Sequence, residues 1–173
     1  MPKIFTVRAC KATEKRVDRD FKKYAKVYNE IWGEVDKVLN ENTLPRTVED
    51  RVKLFAMAMI KHDVLDYFVK SLELTRDNYE EAINAYNSFF KEDDTKPTDE
   101  TAKAFEKNRF MHMYLMGLIA EVNLWKSRLK ETERKIYNSF DLEAQTEIAK
   151  GVDMYYKKLE KDSEPKDLEC SAR

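Results

Sequence analysis

Breakers of regular structure are scarce in this chain. Three glycines and four prolines are spread over 173 residues, too few to supply the tight turns of a hairpin-rich β fold. Two cysteines, Cys10 and Cys170, lie near opposite ends. That excludes the dense disulfide framework of a small secreted scaffold and sets the expectation of a reducing, cytoplasmic location, with the pairing of the two thiols left open. Long apolar runs are also missing. The longest, Phe110 to Ala120, is about half a membrane span and contains His112, and the residues after Lys3 do not form a secretory leader. No membrane partner is expected.

The same scarcity weakens most catalytic readings. Paired carboxylate-bridged metals in a helical bundle need Glu-x-x-His on two helices, and the only histidines are His62 and His112, preceded three residues earlier by Met59 and Arg109. His62 and Asp66 stand one turn apart, but one such pair does not hold a metal firmly. Gly33, Gly117 and Gly151 each fall inside a helical pattern rather than in a phosphate-cradling loop. The sequence therefore points to no catalytic residue, no cofactor and no metal.

What is present is charge and aromatic mass. Charged residues make up 38% of the chain, and there are nine Phe, nine Tyr and two Trp. A disordered chain would be poor in aromatics, and a wet-faced helical protein is rich in both classes. The expected fold is all-α, an antiparallel bundle of five to six helices with a short extended N-terminal arm. Residues 1–12 read as that arm, 13–160 as the bundle with a sub-boundary at the linker 91–98, and 161–173 as a frayed polar tail.

Apolar spacing supports the bundle. Val17, Phe21, Tyr24, Tyr28, Ile31, Val35 and Val38 alternate steps of four and three, a seven-residue repeat that predicts one helix capped by Thr13 and facing a partner helix. Pro45 ends it. Thr47 caps a second helix through Val52, Phe55, Met59, Val64, Phe68 and Leu72, and a third, shorter one starts near Asn78. Thr98 caps a fourth, which carries Met111, Leu115, Leu118, Val122, Trp125 and Leu129 at the same spacing. A break at 138–141 precedes a last helix with Ile148, Val152, Tyr155 and Leu159. The segments Leu54–Ile60 and Phe110–Ala120 are read as the bundle centre, with Phe55, Met59, Leu115, Leu118 and Val122 almost fully buried. The methionines clustered in those segments read as core filler, with an apolar ligand pocket as the lesser alternative.

Charge adds spatial information, because it is segregated. Residues 1–26 hold nine basic and three acidic side chains, a net of +6, and residues 73–100 the reverse, a net of −6. Lys15, Arg19, Lys22 and Lys26 step four, three, four and stack on the face of the first helix opposite its apolar stripe. This ridge is the candidate partner- or phosphate-contacting site. The seven-residue stripes and segregated charge favour a non-enzymatic interaction protein: an accessory subunit, adaptor or inhibitor that binds a protein partner, or itself, through helix faces. A nucleic-acid-associated protein using the ridge is the alternative, and an enzyme or apolar-ligand binder with an unrecognised site ranks third.

Overall fold

The computed structural model describes residues 7–92 and 96–163, with the backbone alone described at 7–9 and 92. Five helices take up most of this span: α1 (Val7–Asn29), α2 (Trp32–Leu39), α3 (Val48–Glu92), α4 (Asp99–Asn138) and α5 (Leu142–Ser163). No strand occurs among the described residues. Two expected caps form. Thr47 Oγ1 accepts from the Asp50 backbone N–H at 3.1 Å, and Thr98 Oγ1 from that of Thr101 at 3.3 Å, each satisfying a donor that the first helical turn leaves open.

Several boundaries differ from the sequence reading. Residues 7–12, assigned to an extended arm, are helical, so Thr13 lies inside α1 rather than capping it. Ala9, Lys11 and Ala12 tolerate a helix well, and helix here carries Cys10 into the core, where it is 6% exposed. Residues 1–6 and most of the expected tail, 164–173 with Cys170, lie outside the described residues, whereas 161–163 continue α5. The first helix is interrupted at Glu30–Ile31, where the Ile31 N–H turns back to the Tyr28 carbonyl at 3.1 Å. That tighter turn re-aims the chain and keeps Ile31, Val35 and Val38 all inside. The second and third expected helices are one helix of 45 residues, roughly 68 Å long. Between Val48 and Glu92 there is neither glycine nor proline, so only weak helix formers such as Thr75 and Asn78 could have broken it. Thr75 instead bonds back to the Ser71 carbonyl within the helix.

Side-chain pairs set the order of packing. From one end of α3 to the other, Phe55 meets Tyr137, Asp66 meets Lys126, Arg76 meets Met116 and Tyr86 meets Phe105. Partners on α4 fall as positions on α3 rise, and the short 93–98 connection accounts for that reversal. The α1–α2 segment lies along the groove between them. Tyr24 stacks on Phe68 of α3 at 4.1 Å, while Phe21 and Tyr28 both meet Trp125 of α4 at 5.4 Å. Arg128 donates to the Tyr28 hydroxyl and to Asp36, which ties α2 to α4.

The core forms along this triple seam. Val35, Leu65, Leu115, Val122, Leu129 and Ile136 are completely enclosed. Phe55 and Leu118, expected to be fully buried, are only partly so. α1, α2 and α3 all pack on α4, so its covered face is wider than a single seven-residue stripe. Ile119 is enclosed, 6% exposed, and Leu118 packs at the edge of the core. The two apolar segments are likewise not enclosed on all sides: Met57 is 43% exposed, Ile60 42%, Phe110 59% and Met113 69%.

Candidate functional site

Two exposed helix faces and one loosely attached helix dominate the surface. On α1, the apolar side chains Val17 and Tyr28 are buried, with Phe21 and Tyr24 packed against the core. At about 100° per residue the opposite face is basic. Lys15, Arg19, Lys22 and Lys26 are all exposed, and Lys11, Arg16 and Lys23 extend the same face, exposed as well. The acids of α1 stand at its margins. Asp18 holds Lys22 at 2.9 Å, Asp20 meets Arg19 at 3.4 Å, and Lys26 acts electrostatically on the Glu30 carboxylate, so three of the four ridge cations are partly neutralised.

The acidic stretch occupies the same end of the molecule. Cys10 Sγ donates to Asn108 Oδ1 at 3.2 Å, and Tyr79 shares side-chain hydrogen bonds with Cys10 and Thr13. The start of α1 therefore lies beside the portion of α3 that carries the exposed Asp77, Glu80 and Glu81. Burial pushes both the Cys10 thiol and the Tyr79 phenol above their ordinary values, so both stay protonated and neutral in this polar layer. Asn108 is 1% exposed, and its amide nitrogen has no partner among the described residues.

A second face was not legible as a surface. The outward side of α4 runs through Phe110, Met113, Gly117, Ala120 and Leu124, again in steps of three and four. All five are exposed, Leu124 to 57%, and no charged residue occurs from Phe110 to Ala120. Exposed single hydrophobics are ordinary, but a run of them aligned over four turns is a contiguous patch of the sort that marks interaction sites. The signal was in the sequence: Phe110–Ala120 carries two apolar stripes, one used by α1 and α3 and one left over.

The third feature is α5, which contains no buried residue. Its Ile148, Val152 and Tyr155 face Val52, Phe55 and Met59 of α3 across an apolar cleft of about 450 Å³. The Tyr156 hydroxyl donates to Asp63 at 2.8 Å. Partial burial and the neighbouring carboxylate together push this phenol up to about 12.

His62 and Asp66, one turn apart on α3, engage different partners. Asp66 accepts from Lys126 at 2.6 Å and from Lys70 at 2.8 Å, and His62 lies 3.4 Å from Asp63 instead. His112 is half-buried. No group of three or more His, Cys, Asp or Glu disposed to hold a metal occurs among the described residues, and no described helix is long and apolar enough to cross a membrane.

The hydrogen bonds from Lys126 and then Lys70 hold the Asp66 carboxyl down, from 3.8 to about 2. The folded carboxylate thus releases its proton more readily than the unfolded one. Its stabilisation is complete above about pH 4 and disappears as pH falls through 2. Because a third of the side chain is exposed, solvent screening reduces the contribution to about 1 kcal/mol. Asp66→Asn is expected to lower urea stability by that amount at pH 6, and the gap from the parent protein should close by pH 2. A gap that persists at pH 2 would mean packing, not charge, is lost.

No protein-family model, curated protein or solved structure matches the chain.

Proposed function

We propose that the chain is an antiparallel helical bundle that acts without catalysis, as an accessory subunit, adaptor or inhibitor that binds a protein partner through exposed helix faces. The reversed order of α3–α4 side-chain pairs supports the architecture. The observation that carries the function is the outward stripe of α4, in which Phe110, Met113 and Leu124 leave more than half of their surface in water. Burying one such side chain gains about 1.5–3 kcal/mol, so covering the stripe is worth a substantial binding free energy. The stripe is also free of charge along its middle, as the desolvated centre of an interface requires.

A direct test compares capture from the native source by the tagged parent chain and by Leu124→Glu, counting an untagged copy of the chain as a partner. Leu124 packs on nothing that the fold needs, so the variant should fold. Loss of one specific partner is the expected result, and an unchanged set of captured proteins would refute the reading.

The exposed basic face of α1 supports a second reading, contact with the phosphates of a nucleic acid. Lys15, Arg19, Lys22 and Lys26 are all exposed on that face, and phosphate contacts of this kind bind with a steep dependence on salt.

A further inference from the structure

We infer that the occupant of the outward α4 face is the α4 of a second copy, running antiparallel about a two-fold axis at Gly117. This rests on the interaction reading above and names its partner. The face continues at the same spacing beyond its apolar middle: Lys103 and Glu106 precede Phe110, and Ser127, Glu131 and Arg134 follow Leu124. Lys103, Glu106, Ser127 and Arg134 are exposed or partly so, and the Glu131 side chain is 41% exposed.

Charge selects the direction. In a parallel pairing each residue meets its own copy, so Lys103 faces Lys103, Glu106 faces Glu106, Glu131 faces Glu131 and Arg134 faces Arg134. Like charges repel at both ends of the stripe. Reversing one helix about Gly117 places Phe110 level with Leu124 of the other copy, Lys103 level with Glu131, and the exposed Glu100 level with Arg134. The apolar middle then closes on itself, Glu106 comes level with Arg128, and each end sets acid against base across the axis, with Glu131 also paired to Arg134 of its own chain. Such a contact is self-complementary, as a closed two-fold dimer requires.

Gly117 gives the second argument. A side chain at this position would meet nothing within 4 Å in the molecule, and glycine in an exposed helix interior costs about 1 kcal/mol against alanine. The single chain therefore has no steric use for it, as it has none for the equally open Gly33 and Gly151. At the axis of two crossing helices it has one, because with Ala120 beside it the absence of a side chain allows close backbone approach.

The test uses the full chain with Cys170 replaced by Ser, leaving Cys10 buried. Sedimentation over a concentration series should show a dimer, and Met113→Glu should weaken it at least tenfold while its circular dichroism stays that of the parent. Under mild oxidation Gly117→Cys should cross-link to a covalent dimer. Phe110→Cys alone should not, whereas Phe110→Cys combined with Leu124→Cys should. Cross-linking by Phe110→Cys alone would overturn the antiparallel register. A parent chain that remains monomeric at about 100 µM would overturn the dimer. In that event, loss of partner capture by Met113→Glu would leave the interaction reading standing with a different protein as occupant, and unchanged capture would end both.

Discussion

Leu129→Ala should lower unfolding free energy by about 2–5 kcal/mol, whereas Leu118→Ala should cost less than half as much. Leu129 is completely enclosed, at the level where α1, α3 and α4 converge. Truncating it removes the transfer energy of three carbon atoms and leaves a cavity whose walls are long helices, which relax poorly because each is tied along its length by ring stacks and ion pairs. Leu118 keeps part of its surface in water, so both the lost burial and the cavity are smaller. Urea titrations of the two variants at pH 7, with the slope unchanged from the parent, measure the difference. Equal losses would mean that Leu118 is as enclosed as Leu129, the opposite of the structure.

Replacing Lys15, Arg19, Lys22 and Lys26 together by Glu should abolish retention on heparin while leaving the fold intact. The four positions lie opposite the buried side of α1, so no core contact is lost. The change does place one new carboxylate a turn away from Asp18 and another beside Asp20, where Lys22 and Arg19 now form ion pairs, and a third a turn away from Glu30, which Lys26 now attracts. Each new repulsion on an exposed helix costs about 0.2–0.5 kcal/mol, so destabilisation should not exceed about 1.5 kcal/mol. Parent retention should fall steeply with salt, since it depends on displaced counterions. Self-association through α4 should be untouched, because that face carries none of the four. Parent protein that does not bind heparin at low salt would remove the phosphate reading, and unfolding of the variant would show that the ridge is packed against something.

The legible part of the fold was periodic. Stripes of apolar residues, two threonine caps and a proline-closed linker gave helix type, most ends and the two central helices, because these depend on spacing and local chemistry alone. What the stripes did not disclose was how many neighbours each helix has. Leu118 and Ile119 are equally apolar and adjacent, and only the presence of both α1 and α3 on α4 decides which is central. The same limit hid the outward face. Phe110, Met113 and Leu124 look like core residues by type, and their exposure follows from the absence of a described helix on that side. The ridge was legible because charge seldom enters a core, so Lys15, Arg19, Lys22 and Lys26 could be placed in solvent without knowing the packing. The α3 helix was misdivided because propensity at Thr75 and Asn78 was weighed without the long α4 partner that supports both halves.

Because α5 buries no residue completely and is held by the Tyr156–Asp63 bond, the Gln145 bonds to Tyr137 and Phe140 and the edge packing of Ala144 and Ile148, it need not share the fate of the rest of the molecule. Its backbone amides should exchange with solvent deuterium through a local opening that costs far less than global unfolding, while those of α4 around Leu115 and Val122 exchange only when the whole bundle comes apart. On that expectation the chain should behave as two cooperative units in time, a slow three-segment body and a fast helix that leaves and returns many times within one lifetime of the body.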